Sequence, residues 1–145
     1  MCIGESDCGL RGKPRFPDQV PMAVSKPLLS EVIAMERRVS AELGREPALW
    51  NIETKSTTAG DGTHHPTPEI FAKLLYDVVQ EGGIQDQTVI QSFDPRTLQV
   101  LLAMDPTVRL SLLVDAGEAI DPEGAVADLG FVPEVYSPHH GPLTS

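Results

Sequence analysis

The stretch TVIQSFDPRTLQVLLAMDPTVRLSLLV, residues 88–114, contains a strand, a helix and a second strand in direct succession. TVIQSF (88–93) is rich in the β-branched and aromatic residues that suit a pleated surface. Asp94-Pro95 follows: a carboxylate able to accept from an orphan amide, then a residue with no amide of its own at the first helical position. Leu98, Leu101 and Leu102 recur at helical spacing as far as Asp105, and RLSLLV (109–114) is a strand again.

The same alternation extends in both directions. Upstream, Thr67-Pro68 repeats the cap-plus-proline device. It opens a helix with the apolar set Ile70, Phe71, Leu74, Leu75, Val78 and Val79, ended by Gly82-Gly83. Before it lie a polar loop (57–67) and a strand (49–55). Earlier still, Leu28, Val32, Met35, Val39 and Leu43 fall at helical spacing, with Gly44 as the stop. Downstream, Asp121-Pro122-Glu123 opens a further capped helix, and EVYS (134–137) is the last strand. Residues 1–26 show no sustained periodicity and are expected to be an irregular lead-in to a domain over 27–145. Helix and strand alternate strictly with short connections, which implies an α/β chain of parallel strands joined by right-handed crossovers. Four such strands can form an open sheet or part of a closed barrel.

Composition limits the functions open to this domain. A 145-residue chain with 41% hydrophobic and 22% charged residues is that of one soluble globular domain. Its 21 acidic against 11 basic residues give a net charge of -10, which disfavours phosphate backbones and anionic membrane surfaces as partners. No apolar run approaches the ~20 residues of a membrane span, and no signal segment opens the chain, so it reads as cytoplasmic as given. Cys2 and Cys8 make neither a closed zinc site nor a disulfide framework and read as reduced thiols.

One strand carries unusual chemistry. In WNIETKS (50–56) the alternate positions Asn51, Glu53 and Lys55 share one face, and Trp50, Ile52 and Thr54 share the other. Central strands of a doubly wound sheet bury both faces, whereas polar groups at the carboxyl ends of parallel strands suit the mouth of a β/α barrel. Trp50 and Ile52 would then pack under the helices. Glu53 and Lys55, ~7 Å apart, could hold a divalent cation and a phosphate oxygen; the alternative is a solvated or mutually neutralising ion pair on an exposed sheet face. Asn51 would support the carboxylate. His64-His65 reads as a pair of exposed loop histidines, and His139-His140 follows the last strand.

RFPDQ (15–19), WNIETKS (50–56), HPTPEIFAKLL (65–75), TVIQSFDPRTLQVL (88–101) and YSPHHGPLT (136–144) together resemble the bacterial branch of the glycerophosphodiester phosphodiesterase family. The resemblance implies a TIM-type (β/α) barrel, of which this chain would span about strands 4 to 7. It implies metal-dependent hydrolysis of glycerophosphodiesters to glycerol 3-phosphate and an alcohol, in lipid and glycerol metabolism. Glu53 matches a carboxylate ligand of the family's Ca²⁺ or Mg²⁺, Lys55 the lysine that contacts substrate phosphate, and Phe93 a residue lining the pocket.

The family's His-Arg-Gly and its second His followed by Asp have no counterpart in this sequence, and its one Glu-x-Asp, Glu5-Ser6-Asp7, falls in the irregular lead-in rather than on an expected strand. No catalytic residue is therefore assigned, and metal binding is expected to be weak or absent. A family helix-capping Thr is replaced by Leu28. The expectation is a barrel fragment inactive on its own, with open sheet edges that favour self-association. The alternatives are a non-catalytic module binding phosphate or a partner, and an assembly fragment that completes a barrel with another chain. A full-length parent in the periplasm or outside the cell stays open.

Overall fold

The computed structural model describes residues 25–115 and 121–139. The lead-in with its two cysteines therefore lies almost wholly outside the described residues, as do His140 and the end of the YSPHHGPLT stretch. The elements are α1 (Leu29–Leu43), β1 (Trp50–Glu53), α2 (Pro68–Gly82), β2 (Thr88–Ser92), α3 (Pro95–Met104), β3 (Arg109–Val114), α4 (Pro122–Leu129) and β4 (Val135–Pro138). Their order matches the alternation expected from the sequence.

All four strands pair in parallel, in the order β1-β2-β3-β4. Each strand is thus laid beside its predecessor with no reversal, and crossovers of one hand then bring every helix to the same side of the sheet. Burial agrees. Ile90, Leu110, Leu112 and Val114 form the core with Ala72, Leu75 and Val79 of α2, Leu98 and Leu101 of α3, and Leu129 of α4. Trp50, Ile52 and Tyr136 extend that layer at the two edges of the sheet. Trp50 and Ile52 therefore pack under the helices, as the strand alternation implies. The opposite face carries no helix among the described residues.

Local chemistry sets the element ends. Asp94 caps α3 by accepting from the Arg96 amide at 3.1 Å, and Asp121 caps α4 by accepting from the Gly124 amide at 3.0 Å. Thr67 precedes α2 without a side-chain cap, contrary to the sequence expectation. The Glu69 carboxyl in the first turn is held below its ordinary value, first by its own backbone amide and then by the Thr67 hydroxyl. Leu28 has no side chain able to cap α1, but its amide donates to the Glu31 carboxylate at 2.7 Å. Gly44 and Gly83 end α1 and α2 in the left-handed region, at φ 61° and 56°. The Arg37 guanidinium donates to the Gly82 carbonyl, joining α1 to the end of α2.

The apolar stripes are wider than the surfaces they bury. Ile70 and Leu74 on α2 are 54% and 55% exposed, and Met35 and Leu43 on α1 are 52% and 66% exposed. Only Ile33 of the α1 apolar residues is fully buried. A helix lying on one side of a single sheet buries a narrow wedge, and the flanks of its stripe stay outside it.

Candidate functional site

The helix-free face is polar along β1 and mixed polar and apolar on the other strands. Register places Glu53 beside Gln91, Gln91 beside Ser111 and Ser111 beside Val135, in one row across the sheet. Asn51, Val89 and Arg109 form the row toward the amino ends. Beyond β1 the alternation continues, with Thr54 buried, Lys55 exposed and Ser56 buried. Glu53 and Lys55 therefore leave the same face near the carboxyl ends of the strands. Ser111, 2% exposed although it faces away from the helices, meets the hydroxyl of Ser137 at 3.1 Å.

None of the ion pairs among the described residues joins Glu53 to Lys55. The two side chains are thus not in direct contact as an ion pair. Glu53 Oε1 is buried without a hydrogen-bond partner. A buried carboxylate oxygen left unpaired is costly, so this atom marks where a donor or a cation would be favourable. Asn51, expected to support that carboxylate, instead donates to Gln91 Oε1 at 2.9 Å. It lies one pleat back from Glu53, and the longer cross-strand glutamine reaches it first.

Behind Lys55, on the helix side, a network binds β1 to the start of α3. Thr54 and Thr97 hydroxyls meet at 2.7 Å, Ser92 Oγ donates to the Thr54 carbonyl at 2.7 Å, and Ser56 Oγ donates to Asp94 Oδ2 at 2.9 Å. The Arg96 guanidinium grips Asp94 through Nε and Nη2, at 2.9 and 2.6 Å, and reaches Asp61 in the β1–α2 loop at 2.6 Å. That guanidinium is the main reason the Asp94 carboxyl titrates below its ordinary range, against the opposing effect of burial. Its own pKa is raised by the same two carboxylates. Sequence reading missed this network. Its only local signal was the Asp94 cap, because the Ser56 and Asp61 contacts arise from strand register.

His64 is exposed, as expected, but His65 is not: its side chain is 12% exposed. The Thr57 amide donates to His65 Nε2 at 3.0 Å, so Nδ1 carries the proton and donates to the Pro66 carbonyl at 2.9 Å. With both nitrogens engaged, His65 staples its loop. Gly60 is required beneath it, since a Cβ there would sit 2.4 Å from Nε2. His139 follows β4 and is exposed, and its amide donates to the Val114 carbonyl at 3.0 Å.

Phe93 is 49% exposed and borders a cavity of about 300 Å³ shared with Pro95, Leu113, Asp121 and Leu129. Glu53 and Lys55 do not line it. Among the described residues no cluster of three or more His, Cys, Asp or Glu could hold a metal ion. None of the described helices is long and apolar enough to cross a membrane.

Two solved structures are similar to this chain in fold. A glycerophosphodiester phosphodiesterase from Parabacteroides distasonis ATCC 8503 superimposes with a TM-score of 0.57 over 81% of this chain, at 21% identity. A protein assigned as a glycerophosphoryl diester phosphodiesterase, from Silicibacter pomeroyi DSS-3, superimposes with a TM-score of 0.61 over 86% of this chain, at 23% identity. The chain shares their fold. It spans 42% of the length of each, less than half. No family model matches the sequence, and no curated protein does. Both solved structures carry the name of the family that the sequence motifs resemble.

Proposed function

We propose that the helix-free face of this sheet is part of a glycerophosphodiester-hydrolysing site in a TIM-type (β/α) barrel. In this reading Lys55 contacts the phosphate, Glu53 supplies one carboxylate to a divalent cation, Ca²⁺ or Mg²⁺, and Phe93 lines the substrate pocket. The observation that carries it is the buried Glu53 Oε1, which has no partner among the described residues, on the same face as a lysine that forms no ion pair among them.

The described residues do not form a complete cation site. One carboxylate falls well short of the ~6–8 oxygens of Ca²⁺ or the six of Mg²⁺. The sequence also has no His-Arg-Gly and no His followed by Asp, and a general acid or base is worth ~10²–10⁴-fold in rate. The chain is therefore expected to bind phosphate and to release no glycerol 3-phosphate from glycerophosphocholine above background. Turnover that disappears in Glu53→Ala would overturn its inactivity. A titration with glycerol 3-phosphate that gives no saturable shift at the Lys55 signals would remove the phosphate reading.

A second reading, assembly with another chain, has its own support. The buried polar atoms without partners among the described residues are Trp50 Nε1, Glu53 Oε1 and Tyr136 OH, all on the edge strands β1 and β4. Groups from beyond the two edges would satisfy them. Sedimentation at increasing concentration tests it, and the mass of a single chain throughout would exclude it.

A further inference from the structure

Lys55 is exposed, and its ammonium has no hydrogen-bond or ion-pair partner among the described residues. A long flexible side chain of this kind takes its direction from the backbone that bears it. Both of its neighbours are held. Thr54, fully buried, is bonded through its hydroxyl to Thr97 and through its carbonyl to Ser92. Ser56, 8% exposed, is bonded through its hydroxyl to Asp94. In extended backbone successive side chains alternate, so pinning residues 54 and 56 on the helix side sends residue 55 out of the other face.

The geometry points to Ser56 and Asp94 as positioning residues: through this clamp they aim Lys55, and the phosphate-bearing ligand it would hold, over the helix-free face. The ligand rests on the reading given above, whereas the clamp does not. Helix capping alone does not account for Asp94. The cap uses Oδ1, which accepts from the Arg96 amide, and one oxygen is enough for that role. The second oxygen, Oδ2, is turned to Ser56 across the sheet layer, and the pair is buried. Arg96 then ties Asp61 to the same carboxylate, so the loop leaving β1 is anchored with the strand end. Thr97 completes the bracket, since its hydroxyl also donates to the Asp94 carbonyl at 3.2 Å.

The test compares the ¹⁵N-labelled chain with Ser56→Ala and Ser56→Thr. Backbone order parameters are measured over residues 53–57, and each protein is titrated with inorganic phosphate. In Ser56→Ala the order parameter at Lys55 should fall from the ~0.85 of rigid backbone toward ~0.6, with β3 unchanged. Phosphate binding should weaken about three- to tenfold, the worth of one hydrogen bond. Ser56→Thr keeps the hydroxyl and should restore both readouts, which a general loss of packing would not allow. Wild-type order at residues 54–56 in Ser56→Ala would overturn the clamp, as would a Ser56→Thr chain as loose as Ser56→Ala. If Ser56→Ala loosens the strand end while the unaltered chain binds no phosphate, the clamp is supported and the phosphate reading of Lys55 fails.

Discussion

Asp94 is 8% exposed, and its two oxygens accept from the amide and guanidinium of Arg96 and from the hydroxyl of Ser56. The hydrogen bond from Arg96, which outweighs burial, holds its carboxyl below the ordinary range. Its native pKa is thus lower than its unfolded one, and the unfolded chain binds more protons between the two values. The stability it contributes is complete above the ordinary Asp value of about 4 and is lost as the pH falls through the lower native value. Asp94→Asn keeps a capping oxygen but no titrating group, so its urea midpoint should fall less steeply between about pH 5 and pH 2 than that of the unaltered chain. Parallel acid limbs for the two proteins would contradict this. At the same scale, Glu53 and Lys55 could be assigned to one face from strand alternation alone. That Gln91 intercepts Asn51, and that His65 is stapled rather than exposed, depended on cross-strand register and on a loop that closes on itself.

The helices show which local signals carry. Asp94-Pro95 and Asp121-Pro122 open helices with the side-chain caps that their chemistry predicts, and Gly44 and Gly83 end helices in the left-handed region. At Gly44 nothing lies within 4 Å of an added Cβ, so Gly44→Ala isolates the conformational cost. A loss of about 1–2 kcal/mol is expected in chemical denaturation; an unchanged midpoint would show that the α1 end unwinds freely. Thr67-Pro68 pairs a capping residue type with proline as the two working caps do, yet Thr67 makes no cap bond. Periodicity found α1, α2 and α3 but overstated the buried faces of α1 and α2. Ile70, Leu74, Met35 and Leu43 obey the helical repeat and remain exposed, since sequence spacing reports a stripe and not how much of it a neighbour covers. Element order was legible because each strand and helix carries its own pattern.

Across the described residues, the two most exposed large apolar side chains precede the two edge strands. Leu49, just before β1, is 83% exposed, and Val132, just before β4, is 81% exposed. With the unpartnered polar atoms on the same two strands, this predicts association of chains, opposed by a net charge of -10 on each. Salt screens that repulsion within ~10 Å at 0.1 M, so weight-average mass at fixed concentration should rise as sodium chloride is added. A mass that falls with salt would mean that ion pairs, not edges and apolar contacts, hold the chains together. The consecutive strand order has a further consequence, for how the molecule is made. Every ladder joins a strand to the next one along the chain, so no β-pairing must wait for a distant partner to be synthesised. The sheet can grow one unit at a time behind the ribosome, and pulling on the chain ends should unzip it stepwise from an edge rather than break it at once.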